Sequence, residues 1–142
     1  MKLLTLAPLL LALACAKVVP VEQPRIDPRI IEAIIHVESR GNPKAISHTN
    51  DYGIMQVNWK TGRDMGYSKA DLLDPVKGQE AGERYLGIML DQFGNIETAL
   101  AAYHCGPGNY KAAHCKAYSK RVLKLAEVNQ PKPWLHGPEV VP

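Results

Sequence analysis

The stretch "AIIHVESRGNPKA", residues 33–45, decides how the chain folds, because it sets a glutamate at the end of a strongly apolar run and just before a turn. Ile30, Ile31, Ile34 and Ile35 form the stripe of a 3.6-residue period. Glu38 lies four residues beyond Ile34, three beyond Ile35 and seven beyond Ile31, so it falls on the apolar face rather than opposite it. Asp27 is suited to cap the start of this helix, with Pro28 at its first position. Gly41 is suited to end it, and Asn42-Pro43 blocks continuation. Glu38 then occupies the last turn, where the negative end of the helix dipole disfavours another negative charge. Apolar surroundings and the dipole both push its pKa upward, as a general acid working near neutrality requires. The plainer alternative is a carboxylate at a helix end that bends into water, and these residues alone leave it standing.

Outward from this helix the chain reads as short helices joined by loops. Residues 42–53 form a polar loop ending in "NDYG", a turn with Gly53 free to take positive φ. "IMQVNWK", residues 54–60, is short and apolar and fits either a strand or a helical turn. Asp74-Pro75 opens a long helix whose stripe runs through Tyr85, Leu86, Met89, Leu90 and Phe93 and stops at Gly94. Asn95 caps "IETALAAYH", an alanine-rich helix suited to close packing, and "CGPGN" breaks it. A final helix covers about 112–127, with Ala117, Val122, Leu125 and Ala126 among its apolar residues. Residues 128–142 read as a proline-rich tail. With no internal repeat and no strand pattern longer than a few residues, the fold class is mainly α, with few or no short strands.

The chain has 142 residues, 46% hydrophobic and 22% charged, which suits one domain with a modest core. A net charge of +3 is compatible with an anionic partner and demands none. Without a basic cluster interleaved with aromatics, nucleic acid is not an expected partner. Lys2 precedes an apolar run, Leu3 to Ala14, that is too short to span a bilayer and ends in Ala12-Leu13-Ala14, a small-residue cleavage pattern. Residues 1–15 are therefore read as an export signal. Cys15 follows the run at once, as in a lipoprotein signal, although Ala12 and Leu13 stand in the reverse of the usual order. Lipidation at Cys15 stays open. Export leaves Cys105 and Cys115 as a pair in an oxidising compartment, which predicts a disulfide. The rival is a metal site, since His104-Cys105 and His114-Cys115 repeat a pair. Adjacent helical residues point about 100° apart, so both members of one pair do not easily face one ion. The disulfide is preferred, and no metal is expected.

Taken in order, "ESRGNPKA", "DYGIMQVN", "LLDP", "AGERYLGIML", "ALAAYHCGPGNY" and "AYSKRVL" resemble the lytic transglycosylases with a lysozyme-like domain. The resemblance is greatest to the small exported members that accompany type III and type IV secretion or conjugation systems, and it covers residues 26–127. It implies a lysozyme-like helical domain in which Glu38 is the sole catalytic acid and Ser39 lies beside the substrate. Gln56, in the motif Gly53-Ile54-Met55-Gln56, would face the cleft and contact the sugar. Tyr103, in Ala102-Tyr103-His104, would lie near the acid, with Tyr118 as a second cleft tyrosine. On plainer readings the two tyrosines are core aromatics and Gln56 caps a turn. Three positions depart from the family pattern. His104 replaces the family's asparagine, so the hydrogen bonds which that residue makes would either be lost or become pH-dependent. Cys105 replaces an alanine, in keeping with the bridge, and Gly78 stands where an asparagine is often found and slightly weakens its helix.

The resemblance also implies a chemistry. Ordinary glycoside hydrolysis uses two carboxylates. Asp51 and Asp64 are candidates for the second, but the resemblance marks neither and both read as loop or helix-end residues. With one acid, the substrate supplies the rest. Glu38 would protonate the oxygen bridging N-acetylmuramic acid and N-acetylglucosamine, then take back a proton from the C6 hydroxyl as it attacks C1. The product would be a 1,6-anhydro sugar, with no cofactor. The expected partners are peptidoglycan glycan strands in the bacterial periplasm or outer-membrane-associated envelope, in the service of a secretion, conjugation or phage machinery. Membrane contact would come only through an N-terminal lipid. One alternative is a goose-type lysozyme, which hydrolyses with water and commonly carries an aspartate where Asn58 stands here. Another is an inactive peptidoglycan-binding or assembly module.

Overall fold

The computed structural model describes residues 26–128. The export signal, Cys15 and residues 129–142 lie outside the described residues. The first helix, α1 (Pro28–Ser39), starts as its sequence requires. The Asp27 carboxylate accepts the Arg29 backbone N–H at 3.0 Å and pairs with the Arg29 guanidinium, while Pro28 opens the helix. Ile31, Ala33 and Ile34 are buried, with Ile30 and Ile35 half-buried against the same core. The left-handed stop comes at Arg40 (φ 54°), one residue before the expected Gly41, which is itself left-handed at φ 81°. Two such residues in succession turn the chain sharply away from the helix axis.

The polar loop then folds back as a small hairpin, β1 (Asp51–Tyr52) with β2 (Val57–Asn58), antiparallel in the register Asp51 opposite Asn58 and Tyr52 opposite Val57. Ile46 bridges Tyr52 on the other side. "IMQVNWK" thus divides into a turn, a strand and the start of α2 (Trp59–Asp64), which Asn58 caps. A further short helix, α3 (Lys69–Leu72), begins with a capping box between Ser68 and Asp71. Neither α2 nor α3 was expected individually, because helices of six and four residues are too short to show a period.

The long helix α4 (Pro75–Phe93) is capped by Asp74 and stops at Gly94 (φ 72°), as expected. Next comes α5 (Ile96–Cys105), capped by Asn95, and last α6 (Ala113–Val128). Val128, expected in the tail, continues α6. Ala117 is exposed, and Tyr118 and Ser119 take the inward positions beside it.

The core sits around α5, whose residues Ala99 to Tyr103 are buried without interruption. A helical stretch apolar on every side, as residues 99–103 are, belongs inside. It packs against α4 and α6, and α1 packs against α6. A smaller core under the hairpin joins Tyr52, Val57, Leu72 and Ala81. The glycines of α4 make these two cores meet. A Cβ at Gly82 would lie 2.5 Å from the Met55 sulfur, and one at Gly78 would lie 2.5 Å from the Leu72 carbonyl oxygen. Gly78 is therefore a point of close approach, and its modest cost in helix propensity is offset by that contact.

Cys105, at the end of α5, is bonded to Cys115, in the first turn of α6, with Cα atoms 6.0 Å apart. Replacing both by serine should lower stability by about 2–3 kcal/mol, as expected for a short closed loop. Urea unfolding of the double variant against the wild type measures this, and an unchanged midpoint would deny the bridge any stabilising role. Among the described residues no helix is long and apolar enough to cross a membrane.

Candidate active site

Where the end of α1, the hairpin and the end of α5 converge, they enclose a cleft of about 430 Å³. Glu38, Asp51, Gln56, Asn58, Tyr85, Tyr103 and His104 are among the residues lining it. A larger hollow of about 740 Å³ between α1 and α4 holds surface glutamates and none of the candidate site residues.

Glu38 emerges from the last turn of α1 with its side chain 15% exposed, on the apolar face that the isoleucine spacing predicts. Burial raises its pKa above the ordinary 4.5. Tyr118 opposes that rise, the charge of Asp51 adds to it and Arg121 subtracts from it. Tyr118 is buried in α6, and its hydroxyl has no hydrogen-bond partner among the described residues. It is near enough to Glu38 to favour the carboxylate, yet outside hydrogen-bond geometry. Burial holds both Tyr118 and Tyr103 far above the ordinary tyrosine value, so both are neutral donors.

Asp51 is the other carboxylate of the cleft. Burial works to raise its pKa, but hydrogen bonds from Thr49 (2.5 Å), Asn58 (3.0 Å) and Ser47 (2.7 Å) outweigh it, and the net shift is downward. His104 completes the cluster. Its ring lies flat on that of Tyr118, centroids 4.2 Å apart and planes within 2°, and Nδ1 is 3.9 Å from Glu38 Oε1. Burial depresses its pKa below 6.5, assisted by His114 and Arg121 and opposed by Asp51.

Other motif residues are tied into the scaffold. The Ser39 hydroxyl donates to the Ile54 carbonyl at 2.7 Å and does not line the cleft, so it fastens α1 to the hairpin turn. Tyr103 donates to the Met55 carbonyl at 2.7 Å. Gln56, at φ 49°, donates its amide to the carbonyls of Ala45 (3.1 Å) and Gly53 (2.9 Å), leaving its side-chain oxygen as the group with which to meet a ligand. The plainer readings of Tyr103 and Gln56 thus describe real contacts, and both residues line the cleft as well.

Asp64 is exposed and paired with Arg63, outside the cleft. Asp51, first read as a loop residue, is inside it, because strand pairing with Asn58 puts both side chains on one face. Two-residue strands leave too little alternation in the sequence to signal that placement. Tyr85, assigned to the core stripe of α4, is half-buried, packs on Tyr103 at 5.2 Å between centroids and also reaches the cleft. Its hydroxyl, on an otherwise apolar stripe, was the available signal.

Comparison with known proteins supplies the family. A transglycosylase of Enterobacteria phage PRD1 is 34% identical over 103 residues, which make up 72% of this chain and 38% of the phage protein. The 70 kDa soluble lytic transglycosylase SLT70 of Escherichia coli superposes with a TM-score of 0.65 at 28% identity, over 72% of this chain and 21% of that one. The complex of the 70 kDa soluble lytic transglycosylase with bulgecin A matches with the same TM-score at 26% identity, over 80% of this chain and 24% of that one. This chain therefore spans well under half the length of these relatives. The mainly α, lysozyme-like fold expected from the sequence is the one it shares with SLT70. Residues 19–125 match the family described as "Transglycosylase SLT domain", a span that takes in Glu38, the hairpin motif and α5; the chain belongs to that family.

Proposed function

We propose that the chain is a peptidoglycan lytic transglycosylase that cleaves the β-1,4 bond between N-acetylmuramic acid and N-acetylglucosamine, with Glu38 as its acid and base. The observation that carries this reading is the contrast between two carboxyls of one cleft. Glu38 has its pKa raised by burial, while Asp51 is held ionised by three hydrogen bonds. Environments that push the pKa values of two carboxyls apart assign their roles, and the one that holds its proton more tightly is the acid. Glu38 gives its proton to the bridging oxygen, and the substrate's acetamido group stabilises the developing positive charge. The Glu38 carboxylate then accepts the C6 hydroxyl proton as that oxygen closes on C1. Proton and bond count balance without water, metal or cofactor.

A second reading draws on Asp51, whose ionised carboxylate in the cleft is a candidate base for a water molecule, as in a hydrolase. The two reactions differ by one water in the product. Digestion of purified peptidoglycan should yield muropeptides ending in anhydromuramic acid, lighter by that water on mass spectrometry. Predominantly reducing ends would select the lysozyme instead.

The proposed partners are glycan strands, and a transglycosylase of a phage among the relatives supports service to a machine that crosses the wall. We further propose export to the periplasmic side of the envelope, with Cys105 and Cys115 oxidised there. Intact-mass analysis of protein from its native compartment should show loss of about the first 14–16 residues and one internal disulfide. Free thiols at both cysteines would refute the oxidised state.

A further inference from the structure

We propose, building on glycan cleavage by Glu38, that His104 is a positioning residue that closes the acid side of the working pH range by bringing a second titratable group against the catalytic acid. The contact is built from two elements. At the end of α5 the imidazole is laid flat on the Tyr118 ring, 4.2 Å away and 2° from parallel, which fixes its orientation. In that orientation Nδ1 faces Glu38 Oε1 at 3.9 Å. His104 therefore acts on the acid itself, in addition to any contact it makes with the sugar.

Charge on His104 has a defined effect on the reaction. A neutral imidazole leaves Glu38 free to hold its proton. An imidazolium sets a full positive charge beside the carbon that becomes cationic in the transition state. It also stabilises the Glu38 carboxylate, which makes a poorer base for the returning proton. Both effects slow the reaction.

The groups facing His104 come from every element around it: Glu38 from α1, Asp51 from β1, and His114, Tyr118 and Arg121 from α6. Burial, His114 and Arg121 disfavour its charge, and Asp51 favours it. The balance is downward, so the gate closes below the ordinary histidine value of 6.5. An asparagine or glutamine here carries no charge at any pH.

The test is kcat/KM on purified peptidoglycan between about pH 4 and 7.5 for the wild type, His104→Asn and His104→Gln, spanning the range in which a histidine titrates. Circular dichroism at each pH confirms that all three stay folded. Each profile is normalised to its own maximum. The wild type should fall about tenfold per pH unit on the acid side, and both variants should lose that limb. Because kcat/KM reports the free enzyme, the wild-type limb should coincide with the His104 imidazole titration followed by NMR. An acid limb at the same pH in both variants, or none in the wild type, overturns the proposal. Failure of the wild type to cleave overturns the catalytic reading and this one together. Cleavage with an unmoved limb overturns this one alone.

Discussion

Glu38→Gln should abolish cleavage while leaving the fold intact. An amide keeps the size of the side chain and its hydrogen bonding, but it neither gives up a proton nor takes one back. General acid–base participation typically contributes a factor of about 10²–10⁴, and one group serves both halves of the proposed reaction. The same substitution has a thermodynamic signature. The folded pKa of Glu38 lies above the ordinary 4.5, so the fold prefers the protonated form. Its favourable contribution is complete below that ordinary value and is lost as pH rises through the folded pKa. Glutamine has nothing to lose. The melting temperature of the variant should therefore gain on the wild type as pH rises from about 4 to 7. Asp51→Asn is the matching control on the second carboxylate and should keep activity within about tenfold, or about 1.4 kcal/mol on the barrier. Turbidity clearing of cell wall by the three proteins, with melts alongside, reads all of this. Near wild-type activity in Glu38→Gln would refute the mechanism, and equal losses in both variants would restore a two-carboxylate reaction.

Gly53→Ala should be the most damaging single methyl group in the domain. A Cβ at Gly53 would lie 1.8 Å from the Leu72 carbonyl oxygen and 2.9 Å from its carbon, both backbone atoms, and the residue sits at φ 80°. Nothing at the end of a flexible side chain can move aside, so the hairpin or α3 must shift as a unit. The expected cost exceeds about 4 kcal/mol, a large share of a typical domain's stability. Gly94→Ala separates the two causes, because Gly94 is also left-handed (φ 72°) but its Cβ would meet nothing within 4 Å. That variant should lose only about 1–2 kcal/mol, the left-handed penalty alone. Chemical denaturation decides between them, and similar losses at both positions would mean that crowding against Leu72 is not what demands a glycine.

Some of the molecule was legible before the structure because its signals are local. The caps Asp27, Asp74 and Asn95 and the stop at Gly94 act on neighbours within the same helix, so their residue types sufficed. Glu38 was placed correctly because four isoleucines share its face over two turns. Cys105 and Cys115 were expected to be partners on the assumption of export, and the structure brings their Cα atoms to 6.0 Å. What escaped was long-range. Asp51 reaches the cleft through a two-residue strand pairing, and the stack of His104 on Tyr118 joins residues from two helices. Ser39 and Tyr103 carry motif positions, yet their hydroxyls hold carbonyls 15 and 48 residues away in sequence, which no periodicity encodes. Gly78 looked like a weak helix former because propensity does not register the Leu72 carbonyl packed over it.

The hairpin turn is held less by its own ladder than by side chains that grip its carbonyls from both α1 and α5. Strands of two residues would ordinarily fray on their own. Here the turn is tied to two helices of the main core, so opening it means breaking both of those hydrogen bonds as well as the ladder. Those ties raise the free energy of opening the turn locally. An incoming ligand meets a wall already tied to both helices, so less ordering entropy is lost on binding than at an untethered loop. Affinity for this site should then depend on how well a ligand fits the cleft as it stands, with little to gain from remodelling it.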